Sequence, residues 1–178
     1  MLTRSTEAVN AAPIGSNGVL LLPYFTGERT PNVPEGRGVL YGLTPENFYA
    51  GNLARAAMEG ATMGLNFGFN RLKEMGIVPS EVRLTGGGSK NRAWRGMCAD
   101  VFGVETVCLE VDEGAAYGAA LQALWICKDG SISEITESFI HPNEATRVKP
   151  VNKNFEKYRG LQRLQNKLSV DLRQVFSS

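Results

Sequence analysis

The chain is poor in the side chains on which most chemistry at neutral pH relies. Its one histidine, His141, lies beside Pro142 without an evident partner, so it reads as a surface loop residue and not as a catalyst. The three cysteines, Cys98, Cys108 and Cys127, are odd in number, lack metal-ligand spacing and sit within apolar patterns. They read as reduced core thiols, which argues against a disulfide framework or a zinc site. Neither charge sign dominates: 19 Lys and Arg face 18 Asp and Glu, for a net charge of +1, and they are scattered. That balance gives no electrostatic reason to expect nucleic acid or a membrane surface as partner. No stretch approaches about 18 continuous apolar residues, and the N-terminus lacks a basic region followed by an apolar one. The expectation is a cytoplasmic protein. Two familiar glycine motifs are missing as well. There is no Gly-x-Gly-x-x-Gly with an acidic residue about twenty positions on, and Lys90 is followed by Asn91 where a P-loop needs Ser or Thr.

What is present centres on residues 81–91. Val82 and Leu84 alternate as a half-buried strand requires, and Gly86, Gly87 and Gly88 then form a turn without Cβ atoms. Ser89 or Asn91 can cap a helix whose Trp94, Met97, Cys98 and Val101 share one face. Strand, bare turn and helix N-terminus suit either of two readings. One is a seat for a nucleotide, with backbone against its adenosine end. The other is only a tight strand-to-helix connection.

The rest of the chain alternates strands and helices, which predicts an α/β fold. Residues 1–17 are small and polar and read as a linker or the cut N-terminal edge of something longer, with the domain proper over 18–178. The core is expected over about 18–130 and a C-terminal helix over about 152–176. Residues 19–22 form a buried strand, 24–34 a loop rich in breakers, and 38–43 a second strand. Thr44 and Pro45 start a helix that runs to about Glu74 or Met75 and stops at Gly76. Its Ala56, Ala57, Gly60, Met63, Gly64 and Gly68 share a side and predict close packing. Residues 104–111 form another strand. Asp112 and Glu113 then open a helix so apolar that it is expected to be buried nearly all round. A short segment near Ile132 and Ile135 leads to a loop over 141–150. The last helix spaces Phe155, Tyr158, Leu161, Leu164, Leu168, Leu172 and Val175 along one face.

These residues resemble the C-terminal part of the FGGY carbohydrate kinases, the xylulose kinases in particular. Residues 38–43 followed by 52–59 look like that family's second signature, and 23–31 are similar to the loop at the head of the region. Residues 84–91 look like the family's adenosine motif, and 113–120 look like a connecting helix of the actin and hexokinase superfamily. The resemblance implies a ribonuclease H-like fold, a mixed sheet flanked by helices. It also implies ATP as cosubstrate with Mg2+, a pentulose such as D-xylulose as acceptor, and Gly86, Gly87, Gly88 and Asn91 as nucleotide-binding residues. In the family the general-base aspartate, the sugar pocket and both phosphate loops precede this region, so no catalytic residue and no metal ligand is expected in this chain. On that expectation the chain alone is inactive, and a dimer or a concentration-dependent oligomer forms through apolar surface left bare. The rival expectation is a protein-association module with a vestigial nucleotide site.

Overall fold

The computed structural model describes residues 9–111, 113–128 and 130–177. Strand β1 (Leu20–Pro23) is an apolar run with Leu20, Leu21 and Leu22 buried, and it pairs antiparallel with β2 (Gly38–Tyr41), Leu20 opposite Tyr41 and Pro23 opposite Gly38. Helix α1 (Ala50–Glu74) lies against β1 of this hairpin. A Cβ on Gly60 would stand 2.3 Å from the Leu21 carbonyl oxygen, so only glycine lets helix and strand approach this closely. Strand β3 (Glu81–Leu84), helix α2 (Arg92–Phe102) and strand β4 (Glu105–Leu109) form a βαβ unit, the strands parallel with Glu81 opposite Glu105. Strand β5 (Pro142–Val148) adds antiparallel to the other side of β4, with an irregularity between Thr106 and Cys108. The resulting β3-β4-β5 sheet is mixed, as expected, while β1 and β2 form a sheet of their own.

Between β4 and β5 run α3 (Gly114–Cys127) and α4 (Ile132–Phe139), and α5 (Asn152–Asp171) with the short α6 (Arg173–Phe176) ends the chain. The core joins Leu20, Leu22 and Tyr24 to Met63 of α1, Met97, Val101 and Phe102 of α2, and Tyr158 of α5. Cys98 belongs to it, and burial pushes its thiol up to about 12, so it packs as a small apolar group.

A buried polar cluster ties the N-terminal stretch to both long helices. Glu59, 2% exposed, accepts hydrogen bonds at Oε1 from the Gly15 amide (3.0 Å), Arg55 Nε (2.8 Å) and the Tyr158 hydroxyl (3.0 Å). Its Oε2 accepts from Ser16 Oγ at 3.1 Å. Arg55 also donates to the carbonyls of Val9 and Ala12 and to Tyr158. Burial, and then the Glu59 charge, hold the Tyr158 hydroxyl well above its ordinary pKa. A polar seam continues along α5. Gln165 donates to the Gly60 carbonyl, Asn66 donates to Gln162, and Tyr24 shares a 2.6 Å hydrogen bond with Ser169.

Several expectations are corrected. Helix α1 begins at Ala50, not near Thr44, because Asn47 turns the chain there: its Oδ1 accepts from the Thr44 amide and its Nδ2 donates to the Gly42 carbonyl. Its inner face carries Asn52, Glu59, Thr62 and Asn66 beside Ala56, Gly60 and Met63, whereas Ala57 is exposed and Gly64 meets nothing within 4 Å. The stretch read as a linker or cut edge contributes buried Val9, Ala12 and Ser16; residues 1–8 lie outside the described residues. Residues 141–150, expected as a loop, hold strand β5, with Pro142 at its first position where a missing amide is tolerated. Residues 132–139 are a full helix fixed by a capping box between Ser131 and Glu134. Helix α3 is not buried all round, since Leu121 is its one buried residue and Ile126 is 81% exposed. Among the described residues it is α4 that packs on it, with the Tyr117 hydroxyl donating to the Phe139 carbonyl at 2.8 Å, and Tyr117 and Leu124 are half-buried. Cys127, at its end, is likewise exposed. Asp112, expected to open this helix, lies outside the described residues.

Replacing Glu59 leaves the Arg55 guanidinium, whose side chain is 13% exposed, without its carboxylate. Breaking a buried pair from one side costs about 3–5 kcal/mol. Glu59→Gln is therefore expected to lower the unfolding free energy by about 3 kcal/mol, read from urea denaturation. A loss below about 1 kcal/mol would place the cluster with exposed ion pairs.

Candidate functional site

The glycine turn sits at the carboxyl end of β3, the edge at which open α/β sheets receive ligands. Residues Gly87–Lys90 form one turn of 3-10 helix, and α2 starts immediately after it. Of the two candidate caps, Asn91 caps the helix: its Oδ1 accepts from the amides of Ala93 (2.9 Å) and Trp94 (3.3 Å). Ser89 turns inward instead, its hydroxyl donating to the Gly86 carbonyl at 2.7 Å. Arg95 donates to the Ser89 carbonyl at 2.7 Å, and Trp94 donates its indole N–H to Thr62 of α1 at 2.9 Å. The turn is thus braced from below by α2 and through it by α1.

The structure separates the three glycines. Gly86 has φ +85°, a left-handed conformation that favours glycine. A Cβ on Gly88 would meet the Trp94 ring at 3.3 Å. Gly87 has neither a positive φ nor any neighbour within 4 Å of an added Cβ. No contact within the described chain accounts for its bareness. Gly86, Gly87, Gly88 and Asn91 are therefore brought together on one surface, with the helix N-terminus behind them. A partial positive charge at that end favours an anion.

Two neighbours of the turn were not singled out from the sequence. The start of α3 abuts it, since a Cβ on Gly114 would stand 3.2 Å from Thr85 Oγ1. On the α1 side a cleft of about 170 Å3 is lined by Leu65, Leu84, Trp94, Arg95 and Cys98 among others. This is smaller than the roughly 300 Å3 at which pockets enclosing drug-sized ligands begin. Arg95 Nε is buried at its edge without a hydrogen-bond partner. The loop over 24–34 keeps its acid and base apart: Glu28 Oε1 accepts from the amides of Arg29 and Thr30. His141 is exposed, its Nε2 3.0 Å from the Ser138 carbonyl oxygen. Among the described residues no group of three or more His, Cys, Asp or Glu stands together as a metal site, and no helix is long and apolar enough to cross a membrane.

Residues 2–127 match the C-terminal domain of the FGGY family of carbohydrate kinases. The chain is 42% identical over 144 residues to xylulose kinase of Haemophilus influenzae, covering 81% of this chain and 29% of that protein. It is 38% identical over 160 residues to xylulose kinase of Bacillus subtilis, covering 87% of this chain and 31% of that protein. The solved structure of a ligand-bound xylulose kinase from Lactobacillus acidophilus superposes with a TM-score of 0.85 at 28% identity, covering 98% of this chain and 35% of that one. The chain therefore spans about a third of the length of the relatives it matches. Its α/β fold, a mixed sheet with flanking helices, is that of the actin and hexokinase superfamily of sugar kinases. The chain belongs to the FGGY family of carbohydrate kinases, as a C-terminal domain of that family.

Proposed function

We propose that this chain is the adenine-nucleotide-binding part of an ATP-dependent sugar kinase whose acceptor is a pentulose such as D-xylulose. The observation that carries the reading is Gly87, bare where neither backbone conformation nor packing asks for glycine. A surface that must admit a ribose or a purine supplies the reason. The xylulose acceptor rests on the names of the relatives at 42% and 38% identity. In this reading Gly86, Gly87 and Gly88 lie against the adenosine and α-phosphate, and the N-terminus of α2 faces the phosphate with its dipole. Asn91 fixes that terminus through Oδ1 and turns its amide group to the nucleotide.

Phosphoryl transfer needs in-line positioning, a base on the acceptor hydroxyl and a divalent metal that neutralises charge between the phosphates. Among the described residues no three or more His, Cys, Asp or Glu side chains gather as a metal site. We assign the metal ligands, taken to hold Mg2+, together with the base and the sugar pocket, to the remaining two thirds of a kinase of the relatives' length. The exposed apolar helix α3, with Trp125 at 41% and Ile126 at 81%, starts beside the turn and suits a face covered by that remainder.

Two outcomes follow. Adenosine, ADP and ATP should bind this chain with similar affinity of order millimolar, about −4 kcal/mol, because the terminal-phosphate contacts are assigned elsewhere. Each should raise the melting temperature in a titration. Gly87→Val should abolish that rise while leaving the melting temperature of the unliganded chain unchanged, since the added Cβ meets nothing. A Gly87→Val chain that still shifts with adenosine would contradict the assignment. The chain alone should also show no xylulose-dependent ADP release from ATP and Mg2+. Turnover well above background would contradict the assignment of the base outside it.

A further inference from the structure

Strand β3 is the outer strand of the β3-β4-β5 sheet and has a bonded neighbour on one side only. Among the described residues no backbone hydrogen bond joins residues 81–84 to anything but β4. A row of free amides and carbonyls along a strand edge is a template for a further strand. The chain leading into this edge is apolar and bare: Met75 is 75%, Ile77 51% and Val78 78% exposed. Apolar surface of this kind beside an open edge marks an interaction surface, and the side chains of β3 select the partner.

The strand reads Glu81-Val82-Arg83-Leu84, with Glu81 and Arg83 on one face of the sheet and Val82 and Leu84 on the other. Val82 and Leu84 pack against the core. Glu81 and Arg83 hold each other at 3.0 Å, and the Arg83 side chain is 54% exposed. Arg147 anchors Glu81 from the far side of the sheet at 2.6 Å. A second copy related by a two-fold axis perpendicular to the sheet would pair antiparallel at this edge, with the same faces turned the same way. Residues opposite each other must then share a face, so the axis passes through a residue and not between two. Centred on Glu81 the pairing sets Glu against Glu, and centred on Arg83 it sets Arg against Arg, both destabilising. Centred on Leu84 it runs into the glycine turn, where Gly86 at φ +85° leaves the extended conformation. Centred on Val82 it sets Glu81 of each copy opposite Arg83 of the other. The four charges then form a square in which each glutamate has one arginine along its own strand and one across the seam. Pro79, which has no amide to donate, limits the ladder to the strand itself.

We propose that this chain pairs with a second copy of itself through the open edge of β3, the three strands of each copy joining into one sheet of six with the two-fold axis at Val82. Charge complementarity picks both the occupant and the register, because the sequence of the edge is complementary to itself. Helix α3, also apolar and exposed, has no charged residue with which to set a register. The pairing uses no residue of the glycine turn, so its failure and the failure of the nucleotide reading are separate outcomes.

The test is sedimentation of the whole chain over a concentration series, with amide hydrogen exchange measured at both ends of it. A ladder of so few residues is a small interface, so monomer should pass to dimer with a dissociation constant on the order of 100 µM. Exchange within residues 82–84 should slow as the dimer forms. Arg83→Glu, a change at an exposed side chain, sets Glu opposite Glu and should weaken the dimer by about tenfold or more. Glu81→Arg sets Arg opposite Arg and should do the same. An equimolar mixture of the two variants faces opposite charges again and should dimerise about as well as the wild type. If Glu81→Arg fails to fold for want of its bridge to Arg147, Arg83→Glu and the wild-type exchange still decide. A chain that stays monomeric to about 1 mM, roughly tenfold above the expected constant, would overturn the proposal. So would a dimer indifferent to Arg83→Glu, or one that leaves exchange in β3 unchanged.

Discussion

Glu59 accepts hydrogen bonds from four donors that the chain brings from three separate places, and the rest of the structure is arranged around that clasp. Gly15 and Ser16 come from the stretch before β1, Arg55 from the previous turn of α1, and Tyr158 from α5. A buried carboxylate is tolerable only when its lone pairs are met, and here they are met by charge and by three neutral donors. The clasp fixes where α5 lies against α1 and where the chain enters β1. Gly60, one residue on, then lets α1 sit on the Leu21 carbonyl, so strand and helix lock at a single spacing.

From α1 the order passes to the glycine turn through one more polar contact. Thr62 accepts the Trp94 indole N–H, which sets α2 against α1, and Arg95 of α2 reaches back to hold the Ser89 carbonyl. The turn is therefore an outer edge of a braced assembly and not a loose loop. Its one glycine explained neither by a positive φ nor by a contact is Gly87, which meets open space. A scaffold that fixes Gly86 and Gly88 for its own reasons and leaves Gly87 bare separates folding demands from binding demands.

The β3-turn-α2 unit and the stop at Gly76 were legible in the sequence because glycine, caps and alternation act locally. The start of α1 was not, because Thr44 and Pro45 carry a helix-start pattern that Asn47 diverts into a turn. The inner faces of α1 and α5 were also hidden. Asn52, Glu59, Asn66, Gln162 and Gln165 are polar types that pattern reading assigns to solvent, yet each is buried with a partner distant in sequence. Strand β5 escaped because its first four residues, Pro, Asn, Glu and Ala, are types depleted in strands, and only Thr146 and Val148 favour one. Its place is set by pairing with β4 and by Arg147, which reaches across the sheet to Glu81 at 2.6 Å while Glu144 of its own strand holds it at 2.6 Å. Helix α3 was misjudged in the opposite sense: its apolar composition was read as burial nearly all round, and the described chain leaves most of it exposed.

The central claim is that the outward face of the turn, at Gly87, receives the nucleoside. The most direct measurement is a titration of adenosine into the chain labelled with nitrogen-15 at glycine only. The account predicts that the Gly86, Gly87 and Gly88 amide resonances move with one saturating curve, while those of Gly60 and Gly103, packed against Leu21 and Phe155, stay fixed. Saturation with the three turn glycines unmoved would contradict it.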